Sequence, residues 1–218
     1  MSVTPATRQA AQRALARREH GCHDLLRDAE PIARAARETA ARLAHGGTLI
    51  CLGEGSAGAA AARMAAEFMH PTAPGRPPLP AMALYGGALP ARLRMWARPQ
   101  DVAVAVCPYG DGPAGDGRGP GTRHRHGGGV HDALAVAAEH GLLTVALTGP
   151  GAFTGHADHV ITVRWDDPAL AEELHLTVQH LLWELVHEFL DSAAPPGPPP
   201  DGADPGLADG QESRGGSA

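Results

Sequence analysis

Three places in this chain carry residue types and spacings that support chemistry. The first is Leu52-Gly53-Glu54-Gly55-Ser56-Ala57-Gly58, a glycine turn between an apolar run and an alanine-rich stretch. Such a turn, leading from a buried strand into a helix, aims backbone N–H groups and the helix dipole at an anion. It serves equally well as a tight connection with no ligand, and the residues alone leave both readings open. The second place is Glu172, Glu173, His175 and His180, set among the apolar residues of a helical repeat that starts at Pro168. Glu173 and His180 fall two turns apart on nearly one stripe, whereas Glu172 and His180 stand ~12 Å apart along a helix axis. One metal ion or substrate then reaches both only from different subunits, and an exposed face with incidental charges is the plain alternative. The third is segment 110–129, where Arg118, Arg123 and Arg125 suit bidentate phosphate binding and Gly127 to Gly129 open a helix at Val130. A solvated loop is the competing reading there. His124, His126 and His131 complete no zinc spacing. Cys107 ends a strand, the sequence identifies no base to activate it, and it reads as a buried structural thiol.

The elements that must position these residues follow from the change of period along the chain. Residues 6–45 repeat apolar side chains at helical spacing (Leu25, Ala29, Ile32, Ala36, Ala40, Leu43), with breaks expected near Gly21 and Pro31 and a C-cap at Gly46-Gly47. Short, almost wholly apolar runs then occur at 48–52, 81–84, 102–106, 143–147 and 160–163, as strands buried on both faces require. Helical stretches at about 57–69, 89–97, 130–140 and 168–191 alternate with them. That alternation is the pattern of a doubly wound parallel sheet, which takes ligands beyond the carboxyl ends of its strands. In the last helix Leu170, Leu174, Val178, Leu181, Leu182, Leu185 and Phe189 make the expected buried stripe.

Composition narrows the chemistry further. The chain has 218 residues, enough for one substantial core. A net charge of −6 offers no basic footprint for nucleic acid or an anionic membrane. All 18 basic side chains are arginine, which rules out a lysine Schiff base, a lysine general base and a lysine phosphate loop. Three scattered cysteines without a CxxC pair speak against a disulfide framework. No apolar run has the roughly 20 residues of a membrane span, and the first residues lack the apolar core of a signal peptide, so a cytoplasmic location is expected.

Together these features resemble the sugar-isomerase (SIS) domain proteins. Within them the likeness is to the phosphoheptose isomerases and to the replication-initiator-associating proteins that share their fold. The motifs are GGTLICLGEGS at 46–56, the helix ending Met64-Ala65-Ala66-Glu67, Leu79-Pro80-Ala81-Met82-Ala83-Leu84, Asp101-Val102, the run from Gly141 to Gly149, Ala157-Asp158, and Glu172-Glu173-Leu174-His175. The resemblance implies a SIS-type three-layer α/β/α sandwich with a five-stranded parallel sheet over residues 1–192. It leaves a glycine-rich insert at about 110–129 and a disordered Pro/Gly-rich tail at 193–218. It also implies a homodimer or homotetramer binding a small phosphorylated sugar between subunits. Glu67 and His180 take the places of the family's acid and base, which such a proton transfer needs.

Departures from the family pattern shape the functional expectation. Zinc-binding members use positions that here read Arg63, Glu67, Glu172 and His180; arginine cannot ligate a metal, so no zinc is expected. Arg63 and Glu67 also have the spacing of a simple helical ion pair. The family's hydroxyl-rich phosphate loop reads Cys107-Pro108-Tyr109-Gly110, and the segment after Leu84 is about a helix shorter. Phosphate is then left to Gly53, Gly55, Ser56, Gly129 and possible insert partners Arg123 and Arg125, with Glu172 also lining the site. The expectation is a phosphosugar (carbohydrate-derivative) binding protein without turnover. The alternative is a divergent aldose–ketose isomerase using Glu67 and His180.

Overall fold

The computed structural model describes residues 3–107, 129–150 and 155–193. Helices α1 (Pro5–Asp24) and α2 (Ala29–Ala44), joined by a short 3₁₀ turn at Leu25–Asp28, precede strand β1 (Leu49–Gly53). Then follow α3 (Ser56–Met69), β2 (Ala81–Tyr85), α4 (Leu89–Trp96), β3 (Val102–Cys107), α5 (Val130–Glu139), β4 (Leu143–Thr148), β5 (His159–Thr162) and α6 (Pro168–Ala193). The sheet order is β2-β1-β3-β4-β5 with every pairing parallel. The α/β sandwich with five parallel strands is therefore the architecture found. β1 and β3 lie side by side where the strand order reverses, so their carboxyl ends open the crevice that such sheets use for ligands.

Strand alternation builds two cores. Leu49, Cys51, Val102, Val104, Val106, Val145 and Leu147 pack with α2, α3 and α6. Ile50, Leu52, Ala103, Ala105 and Ala146 pack on the opposite face with α4 and α5. A period of two sends neighbours along each strand to opposite faces, so only unbroken apolar runs satisfy both layers.

The N-terminal helices depart from expectation in two places. α1 runs through Gly21, because this glycine is a point of close approach: a Cβ there would stand 2.9 Å from Leu174 Cδ1 of α6. Pro31 does not break α2 either, since it lies in the first turn, where its missing N–H has no intrahelical partner to lose. Ala29 is exposed, and Asp28 is buried instead, with Arg164 Nη1 donating to its Oδ2 over 2.6 Å. α2 ends as expected, with the N–H groups of Gly46 and Gly47 donating to the carbonyls of Leu43 and Arg42. Two motif aspartates tie the sheet at the end away from the crevice. Asp101 accepts from the Thr48 and Arg98 amides, and Asp158 from the Thr144 amide and hydroxyl. No helix among the described residues is long and apolar enough to cross a membrane.

Candidate functional site

Two helices make the site. α3 leaves β1 at the crevice, and its departure depends on glycine twice. A Cβ on Gly53 would lie 2.2 Å from the Ala57 carbonyl oxygen, and Gly55 has a φ of 56° that side chains strain to adopt. Ser56 is exposed at the first position of α3, and no side chain caps the helix start. Gly129, the N-cap of α5, faces Glu54: its Oε2 is 3.7 Å from where a Cβ on that glycine would stand. A carboxylate near a helix N-terminus is favourable in itself, and an anion at the same spot would meet its charge. Pro108, Tyr109, Arg118, Arg123, Arg125 and the tail from 194 lie outside the described residues.

Further along α3, Arg63 and Glu67 project one turn apart and both meet His180 of α6. Arg63 Nη2 is 2.8 Å from His180 Nε2, and Glu67 Oε1 is 3.1 Å from the same nitrogen. One imidazole nitrogen cannot serve both contacts at once. Carrying a proton, Nε2 donates to Glu67; without one, it accepts from Arg63. Each protonation state of that nitrogen thus has a partner waiting. Glu67 Oε2 is buried and has no partner among the described residues.

Beside this cluster lies a cavity of about 240 Å³ lined by Ala57, Ala60, Arg63 and Val106 on one side and Glu172, His175 and Gln179 on the other. Glu172, His175 and Gln179 follow one stripe of α6, at i, i+3 and i+7. His175 is held by its Nε2 at 2.9 Å from the Thr148 carbonyl, which fastens α6 to the end of β4. Burial lowers its pKa from the ordinary 6.5, against weaker raising contributions from the Thr148 and Ala171 carbonyls and Glu172. Gln179 is 1% exposed, and among the described residues neither its Nε2 nor its Oε1 has a partner. A buried, unpaired amide typically costs ~1–3 kcal/mol.

The sequence-derived candidates therefore separate into groups. Glu67 and His180 meet within one subunit, and Arg63 joins them. Glu172 lies in the cavity that Arg63 shares, so the distance between Glu172 and His180 along α6 is bridged by α3 and does not itself demand a second subunit. Gly53, Gly55 and Ser56 form the α3 turn. Gln179 escaped the sequence reading; its only signal was the seven-residue step from Glu172.

The group does not suit zinc. Arg63 has no lone pair to offer and stands against the nitrogen a metal would take. Among the described residues, no three His, Cys, Asp or Glu side chains are grouped to hold a metal ion.

No protein-family model matches the chain. A phosphoheptose isomerase of Solidesulfovibrio magneticus, however, is 34% identical over 181 residues, covering 76% of this chain and 81% of that protein. This chain belongs to the phosphoheptose isomerase family of SIS-domain proteins. A second phosphoheptose isomerase, from Nitratidesulfovibrio vulgaris, is 29% identical over 180 residues, 75% of this chain and 79% of its own length. Among solved structures, the phosphoheptose isomerase of Francisella tularensis superposes with a TM-score of 0.67 at 20% identity, over 83% of this chain and 97% of that one. At that identity the likeness shows the shared fold. Within the phosphoheptose isomerase family, the Arg63–Glu67–His180 cluster is the feature that any account of this member's function must explain.

Proposed function

We propose that this protein interconverts an aldose phosphate and a ketose phosphate, with Glu67 and His180 moving the protons. The observation that carries the proposal is the 3.1 Å contact between Glu67 Oε1 and His180 Nε2, beside a cavity that Arg63 also lines. Such an isomerisation takes a proton from the carbon next to the carbonyl and returns one to the former carbonyl carbon. The hydroxyl proton passes in the same sense, from the oxygen on the carbon that is deprotonated to the former carbonyl oxygen. Glu67 Oε2, without a partner among the described residues, supplies the lone pair for the carbon-bound proton, and His180 Nε2 exchanges protons with the substrate oxygens. Arg63, permanently charged, stabilises the negative oxygen that develops on the enediol intermediate. The chemistry is read as metal-free. The phosphate falls to the Gly53–Gly58 turn, with Arg123 and Arg125 as further proposed partners. The names of the relatives make a seven-carbon sugar phosphate the first substrate to try.

A second reading, binding without turnover, draws on Arg63 itself, whose bond to His180 Nε2 engages the lone pair a base would use. One experiment separates the two. The parent, Glu67→Gln and His180→Asn are each incubated with a ketoheptose phosphate, and the aldose product is followed by NMR. Turnover by the parent and a loss of about a hundredfold or more in each variant is expected. A parent that binds the ketose phosphate without converting it establishes the binding module, and a parent that does neither overturns both readings.

A further inference from the structure

The cavity beside the proton-transferring pair is lined by alanines, Val106 and Leu176, with Arg63, Glu172, Glu173 and His175 as its charged and polar side chains, and holds one buried amide with no hydrogen-bond partner among the described residues. Folded proteins pair nearly all their buried polar groups, and an exception calls for an explanation. Of the buried side-chain atoms without a partner among the described residues, three belong to Glu67 and Gln179, on the two helices that frame this space. Glu67 Oε2 is accounted for as a base. Gln179 is not part of that chemistry: it follows Leu176 and His175 along the cavity wall, while its neighbour His180 turns toward α3.

We propose that Gln179 is a specificity-determining residue, whose amide binds the hydroxyl chain of an open-chain sugar phosphate while the reacting carbons lie at Glu67 and His180. A carboxamide offers two donors and an acceptor oxygen on one flat group, which matches the alternating donor and acceptor character of adjacent hydroxyls. It carries no charge, so it does not compete with the Gly53–Gly58 turn for the phosphate. The side chain reaches the cavity by rotation about its own bonds. Arg63, Glu172, Glu173 and His175 share the lining, yet none of them bonds to the amide, so a deoxygenated chain leaves it as unpaired as it is in the free protein. Sites built to bond a hydroxyl reject analogues that lack it for this reason. The inference rests on the isomerase reading and goes beyond it by assigning the part of the sugar that is recognised.

The test compares the parent with Gln179→Leu in three measurements. First, the empty variant melts at or above the parent's temperature, because an unpaired amide has been replaced by an apolar side chain of similar size; a clear drop would mean that the amide supports the fold and would overturn the proposal. Second, the ketoheptose phosphate binds the variant about tenfold more weakly by calorimetry, while inorganic phosphate binds both proteins alike. Third, the parent prefers the ketoheptose phosphate to its chain-deoxygenated analogue and the variant does not. Unchanged binding and preference in a variant of an active parent removes Gln179 from recognition and leaves the isomerase reading standing. A parent that binds no sugar phosphate removes both.

Discussion

Arginine at position 63 alters what its two neighbours can do with a proton. A metal ion on His180 would hold its Nε2 lone pair permanently, whereas a guanidinium releases it whenever a proton arrives, since Nε2 then turns its bond to Glu67. The substitution therefore trades a fixed ligand set for an exchangeable one while keeping a positive charge beside the developing oxyanion. Replacing Arg63 by histidine reverses that trade. Arg63→His is expected to take up about one zinc ion per chain, through position 63, Glu67 and His180, while the parent retains none after dialysis. Metal analysis of tag-free protein, with His180→Ala in the Arg63→His background as the control, decides it. Stoichiometric zinc in the parent, lost on His180→Ala, would show that the guanidinium moves aside for a metal. This cluster was only half legible in the sequence. The i, i+4 spacing of Arg63 and Glu67 suggests an ion pair within one helix, and only the packing of α6 across α3 shows both meeting an atom 117 positions away.

At the scale of elements, α6 shows where pattern reading stops. The strands were legible because a parallel strand between two helical layers tolerates almost nothing but apolar residues, and each of the five runs became a strand within a residue or two. A helix covering one side of the sheet has a looser code. Leu181, Leu185 and Phe189, expected in the core, are only partly buried, while His175, Gln179 and His187 are buried. Three polar side chains on the inner face cannot be told from outer ones by period alone. His175 can afford its burial because the Thr148 carbonyl takes one ring N–H. That position has a consequence for pH. Burial holds the folded pKa of His175 below its ordinary 6.5, so the unfolded chain takes up a proton that the folded chain refuses. Its contribution to stability is complete above about pH 6.5 and is lost progressively as pH falls from there through the lowered folded value. His175→Gln keeps a donor for Thr148 but cannot titrate. The variant's stability should fall less steeply than the parent's between pH 6.5 and 5, by at most ~1.4 kcal/mol per pH unit. Denaturant titrations across that range provide the measurement, and parallel curves would mean that His175 is free to charge in the fold.

For the molecule as a whole, the unanswered question is what covers α1. This helix of 20 residues fully buries only Gly21. Its Leu15 is 66% exposed, as is Val3 just before the helix. A helix of that length with no apolar face against a partner is marginal in water. Its tie to the rest of the chain includes the pair between Arg18 and Glu173, an exposed contact that adds little. The sequence showed the helix but not this exposure, since an Ala/Arg repeat fits a buried and a solvated surface alike. A second copy of the chain is the economical cover. We therefore expect a homodimer or homotetramer in which α1 lies at the contact. Light scattering at micromolar concentration should give two or four times the chain mass of 22.5 kDa. Leu15→Glu should shift the population toward monomer and reduce helical circular dichroism, because α1 loses its support on dissociation. The core strands should keep their hydrogen-exchange protection in that monomer, since their contacts lie within one chain. A parent that remains monomeric with α1 fully protected from exchange would show that the helix needs no partner.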